Sequence, residues 1–174
     1  MTDLRYPIGP FRFPDPYSAA DRERDVDQLA ALPARLRAAV AGLADARLDT
    51  PYRPDGWTVR QVVHHVPDSH MNAYIRVKLA LTESEPTIKP YDEVGWANLP
   101  DSSRPIAGSL ALTDHLHERW VALLRALPAE SFARTCVHPA SGSVLSIDKL
   151  IAMYAWHGAH HVAHITELRR RQGW

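Results

Sequence analysis

The chain has 174 residues, with 20 Lys plus Arg against 20 Asp plus Glu and so no formal net charge. Its length is that of one domain able to bury its own core, and balanced charge argues against nucleic acid or an anionic membrane as the main partner, because both call for a basic surplus. A single cysteine, Cys136, excludes an internal disulfide, and neither a signal-like stretch near the N-terminus nor a spanning run of roughly 18 apolar residues is present, so the expected location is the cytoplasm.

In chain order, residues 1 to about 17 hold four prolines and several aromatics, which predicts an extended arm laid over a core. Ser18 to Leu43 is rich in Ala, Leu and Arg with apolar residues at helical spacing. Pro33 interrupts it and predicts a kink or two abutting helices. "DTPYRPDG" reads as a loop. A second helix is predicted from an N-cap at Thr58 to about Thr82, with Val59, Val62, Val63 and Val66 as its apolar stripe. Residues 85 to 108, with four prolines, read as a long irregular crossover. A third helix is predicted from Ser109 to Leu127, stopped by Pro128. Residues 129 to 145 read as turns with a short hairpin. The last helix starts at an N-cap on Ser146, carries Asp148 in its first turn and ends in Arg169, Arg170 and Arg171 before Gly173, the charge order that suits the helix dipole. The sum is an all-α single-domain chain: a four-helix bundle with a long crossover loop and a proline-rich N-terminal arm.

Ten residues are histidine, and four of them, His157, His160, His161 and His164, lie in one stretch of the last helix, "YAWHGAHHVAHI". With Ile147 at zero and ~100° per residue, the apolar stripe lies within ~60° of zero, His161 falls at about −40°, His157 at about −80°, His164 at about −100° and His160 at about −140°. His157 and His161 are therefore the inward pair, one turn apart. His160 and His164 read as supporting or surface residues. Two imidazoles at i and i+4 can meet one cation at ~2.0–2.1 Å, and neutral imidazole suits Zn, Ni, Cu or Fe rather than Mg or Ca.

A catalytic zinc usually has three protein ligands and one open position, so a third histidine must come from another helix. "VRQVVHHVPDSHMN" offers His64, His65 and His70, with Asp68 among them. The helical wheel taken literally favours His70, but Pro67 disturbs the phase between the candidates, which leaves the three open. Asp68, one turn from His65, is a candidate general base or a carboxylate that orients a ligand imidazole. His115 and His117, on the third helix, read as a solvated face.

"GWTVRQVVHHVPDSHMN" together with "YAWHGAHHVAHI" resembles the DinB/YfiT-like superfamily, and most closely the YfiT-type metal-dependent hydrolases, over nearly the whole chain, including "YPIGPFRFP" and "KPYDEVGWANLPDS". The resemblance implies a DinB-like four-helix bundle with a metal on three histidines, one on the second helix and two at i and i+4 on the last. Laid on this chain, that pattern places the ligands at His65, His157 and His161. The last two coincide with the pair the wheel selects, whereas His65 rests on the resemblance. Pro67 stands where relatives more often carry Ala. The resemblance further implies one divalent transition metal per chain, zinc before nickel, a small-molecule substrate and a homodimer.

Two reactions share these ligands. A three-histidine cation can activate water for hydrolysis. It can equally hold a low-molecular-weight thiol of the bacillithiol, mycothiol or glutathione kind as the thiolate, making the protein a thiol S-transferase. A metal-binding stress protein without turnover, and a plain helical interaction bundle with core histidines, are the non-enzymatic alternatives.

Overall fold

A computed structural model of the chain describes residues 3–139 and 142–174. Six α-helices are present among these: α1 (Ala19–Val40), α2 (Asp45–Leu48), α3 (Val59–Thr82), α4 (Glu93–Ala97), α5 (Ala107–Arg125) and α6 (Ile147–Gln172). Two short strands, β1 (Thr135–His138) and β2 (Ser143–Ser146), pair antiparallel with Cys136 opposite Leu145.

Local chemistry explains where the long helices begin. Ser18 accepts a hydrogen bond from the Asp21 N–H, and the Asp21 carboxylate accepts one from the Ser18 N–H. Thr58 and Gln61 form the same reciprocal cap at the start of α3. Ser146 accepts from the Lys149 N–H at 3.1 Å to open α6, and Gly173 ends it at φ 70°, a left-handed position that costs glycine little. Helix α5 starts two residues before Ser109 and ends two before Leu127, short of Pro128.

Two expectations are corrected. Pro33 neither breaks nor divides the first helix, since α1 runs through it as one element. The proline costs only the helical bond to the Leu29 carbonyl, and a side chain from α5 supplies a replacement donor. The crossover is not wholly irregular: it holds α4 and a 3₁₀ turn at Pro100–Ser103.

Around the bundle, α1 packs against α5 and α6, and α3 packs against the same two helices. The successive long helices α1 and α3 thus face each other across a diagonal, as do α5 and α6. The apolar core falls into two parts. One joins Leu29, Val77, Trp120, Ile147 and Ile151, and the other joins Leu36, Val62, Val63, Ile165 and Leu168. At about 1.5–3 kcal/mol for each fully buried aliphatic side chain, these clusters supply the main drive to fold. On α6 they are separated by the segment from His157 to His161, and on α3 by Ser69 and His70. A belt of imidazoles therefore crosses the bundle between two apolar halves. Gly158 lies in that belt, and a Cβ there would come within 2.6 Å of Leu32 on α1, so the glycine permits the α1–α6 approach.

The N-terminal arm lies across α6, as its composition predicts. Trp156 Nε1 donates to the Gly9 carbonyl at 3.2 Å, Phe11 packs on Trp156, and His164 Nε2 donates to the Arg5 carbonyl at 3.2 Å. No helix among the described residues is long and apolar enough to cross a membrane.

Candidate metal centre

His65 on α3 and His157 and His161 on α6 converge. One ring nitrogen from each lies within 4.8 Å of the other two. His65 Nε2 and His157 Nε2 are 3.2 Å apart. Two nitrogens bound at ~2.0–2.1 Å to a tetrahedral zinc would stand about 3.3 Å apart, so this spacing fits a shared ion. Burial drives all three rings toward the neutral form that ligates: His65 is brought down to about 4, and His157 and His161 fall well below the ordinary histidine value. His161 Nδ1 is buried without a hydrogen-bond partner among the described residues. By donor type, spacing and protonation, the set fits a borderline transition metal.

The site opens into a pocket of 430 Å³ whose lining includes Trp57, Glu93, Trp156, His157 and His161. This volume lies within the ~300–1,000 Å³ usual for small-molecule sites. A larger groove of 720 Å³ between α1 and α6 holds no such cluster of donors. Trp57 packs on His65 with ring centres 4.6 Å apart. Beside His157, Ser69 Oγ lies 3.5 Å from Nε2. Arg76 Nη1 donates to the Tyr154 hydroxyl at 3.1 Å. Burial pushes the Tyr91 phenol up to about 12, while a hydrogen bond with Ser69 opposes the shift.

The other candidates go elsewhere. His64 faces α5, with Nδ1 2.7 Å from Ser109 Oγ and Nε2 2.9 Å from the Arg104 carbonyl. Asp68 lines that same cleft with His64, Asp101 and Ser109, and burial raises its pKa. Its carboxylate makes no hydrogen bond to His65, His157 or His161 among the described residues, so the orienting role expected of it has no contact to act through. His70, favoured by the literal wheel, is fully buried beside the cluster and hydrogen-bonds His157. His117 is not on a solvated face: it is buried and bonded to His70 and the Leu29 carbonyl, because α5 turns it into the bundle, whereas His115 is exposed. His160 and His164 are buried rather than surface residues. The arm and Trp156 cover His160, and Tyr52 stacks on His164 at 3.9 Å.

Residue-level reading missed Ser69, Tyr154 and Glu93. Ser69 follows His65 by four residues and Tyr154 precedes His157 by three, spacings that share a helix face and could have pointed to both. Glu93 sits in the crossover, where no periodicity marks it.

The family model described as the DinB superfamily matches residues 28–165. A Bacillus cereus protein carrying the name "Putative metal-dependent hydrolase" is 53% identical over 174 residues, covering 100% of both chains. A Bacillus pumilus protein of the same name is 51% identical, covering 100% of this chain and 99% of its own. Among solved structures, Bacillus subtilis YfiT, described as "a probable metal-dependent hydrolase with an unusual four-helix bundle topology", superposes with a TM-score of 0.96 at 49% identity over 98% of each chain. The chain belongs to the DinB superfamily. Its fold is the four-helix bundle of that neighbour.

Proposed function

We propose that the protein is a metal-dependent hydrolase whose single divalent transition metal, zinc before nickel, is held by His65, His157 and His161. The observation that carries this reading is the convergence of three ring nitrogens within 4.8 Å beside a pocket sized for a small molecule, which His157 and His161 line. A metal with an open position there supplies a Lewis acid and brings the pKa of water toward ~7. The chain's own groups do the rest. Glu93 and Asp55 are the carboxylates that line the pocket, and of the two it is Glu93 whose charge acts on Tyr91 and Tyr154. That coupling makes Glu93 the candidate general base for a water in the pocket. Arg76, joined to Tyr154, is the candidate source of positive charge for a substrate oxygen that turns negative. Trp57 and Trp156 exclude water from the pocket walls. The substrate is a small molecule, and the protein acts in the cytoplasm as a homodimer.

The test offers zinc-loaded protein ester, amide and lactam substrates with and without a low-molecular-weight thiol. Metal-dependent cleavage without thiol, lost in His157→Ala, is expected. Glu93→Gln should lower kcat about 100-fold, the scale of a lost general base, with zinc affinity retained. Turnover only in the presence of thiol would replace hydrolysis with thiol transfer. No turnover above the His157→Ala background would leave a binding protein. Sedimentation at a mass near 19.5 kDa would reject the dimer.

A further inference from the structure

His70 and His117 take no part in the ligand set, yet they are among the most deeply buried polar residues of the bundle. They form one line of hydrogen bonds. His117 Nδ1 lies 2.7 Å from the Leu29 carbonyl, His117 Nε2 3.0 Å from His70 Nδ1, and His70 Nε2 3.1 Å from His157 Nδ1. We propose that this line is a tautomer relay, in which one backbone carbonyl of α1 presets the metal-binding lone pair of His157 through His117 and His70.

A carbonyl only accepts, so His117 Nδ1 carries a hydrogen and donates to Leu29. A neutral imidazole has one N–H, so His117 Nε2 is bare and accepts, and His70 Nδ1 must be its donor. His70 Nε2 is then bare and accepts from His157 Nδ1–H. That leaves His157 Nε2 without a hydrogen, and this is the nitrogen 3.2 Å from His65 Nε2. Burial favours the neutral form of each ring in the line.

The far end of the line depends on a proline. In an α-helix the Leu29 carbonyl would accept from the N–H of the residue four positions on. That residue is Pro33, which has none. The proline frees the acceptor, and His117 fills it. A metal-ligating histidine usually donates its other ring N–H to a carboxylate, carbonyl or water. Here a neutral imidazole takes that place and is itself oriented by a second. His70 and His117 are accordingly positioning residues.

The inference rests on the metal reading only at its last step, so the first measurement uses metal-free protein. Long-range ¹⁵N–¹H spectra of histidine-labelled protein separate the two neutral tautomers. His117, His70 and His157 are all expected as the Nδ1–H form, and His157 in the Nε2–H form would overturn the relay. Zinc competition against a chromophoric chelator gives the second readout. His70→Phe should weaken zinc binding about 10–100-fold and His117→Phe about tenfold, the scale of a lost outer partner. His117→Gln, whose amide can donate to Leu29 and accept from His70, should restore both the tautomer and the affinity. Unchanged His157 tautomer and affinity in His117→Phe, or failure of His117→Gln to recover what His117→Phe loses, would sink the proposal. If His117→Phe does not fold, Pro33→Ala tests the same line: its new N–H competes for Leu29, and a second His157 tautomer is expected, while a single unchanged one overturns it. Three Nδ1–H tautomers in a protein that holds no zinc would reject the metal reading and leave the relay standing.

Discussion

On α3, His64 turns toward α5 and His65, the next residue, turns toward α6. Both nitrogens of His64 are engaged: the Arg104 carbonyl accepts from Nε2–H, so Nδ1 is bare and accepts from the Ser109 hydroxyl. That ring is fixed, satisfied and without a lone pair to offer an ion. Among the described residues, His65 meets no such pair of fixed partners. Its Nε2 faces another imidazole, and its neighbours are aromatic rings. Two identical side chains one residue apart thus sit in unlike clefts. What separates a structural histidine from a candidate ligand is the accounting of its two nitrogens, and burial alone does not do it.

The two kinds of histidine differ most in what they contribute to metal affinity. His65→Ala, His157→Ala and His161→Ala should each weaken zinc binding by more than the roughly 100-fold that marks the upper range for outer partners. His64→Ala and His160→Ala should change it by less than about threefold. A competition titration measures all five, and a His64→Ala protein that loses zinc as His65→Ala does would erase the distinction.

Acid comes next in size. His65 and His117 are held at about 4 in the fold, chiefly by burial, against an ordinary value of 6.5. The unfolded chain therefore takes up these protons first as pH falls. The stability associated with the neutral rings is complete above about pH 6.5 and is lost as pH falls toward about 4. At ~1.4 kcal/mol per pKa unit, each such ring contributes up to about 3 kcal/mol to the loss, a large share of the ~5–15 kcal/mol typical of a domain. Urea midpoints measured at intervals between pH 7.5 and 4.5 should drop steeply, and bound zinc should move the drop to lower pH, because the metal binds the neutral rings. A flat midpoint across that range would contradict the burial of the belt.

The smallest effect concerns stability at His64. His64→Ala removes two hydrogen bonds and leaves Ser109 and the Arg104 carbonyl without their partner, a loss of about 1–3 kcal/mol. It should lower the thermal midpoint while zinc affinity stays put. His64→Asn, which can still donate and accept, should recover part of the loss. A variant that binds zinc poorly at full stability would mean that the cleft on α5 belongs to the site after all.

Much of this protein is readable from local rules. Ser18, Thr58 and Ser146 open helices because their side chains accept the free N–H groups of a first turn, and Gly173 closes one because it tolerates a positive φ. The inward pairing of His157 and His161 follows from helical periodicity within one element. The resemblance extended that pair to His65, which the wheel alone did not select.

Other outcomes depend on contacts between segments far apart in the chain. His65 and His70 both reach His157, and only the packing of α3 on α6 decides that His65 meets its Nε2 and His70 its Nδ1; no periodicity encodes that. His117 looks like one polar residue among several on α5 until α1 presents it with a carbonyl. Pro33 reads as a helix breaker because the sequence shows the hydrogen bond it removes and cannot show the donor that replaces it. Glu93 reaches the pocket only because the crossover folds back over α3. The four long helices, the caps that open three of them and the inward pair on α6 are legible in the sequence, since those follow from spacing along one chain segment. Tertiary structure decided which nitrogen meets which partner, because a hydrogen bond or a ligand set between helices depends on distances that only packing sets.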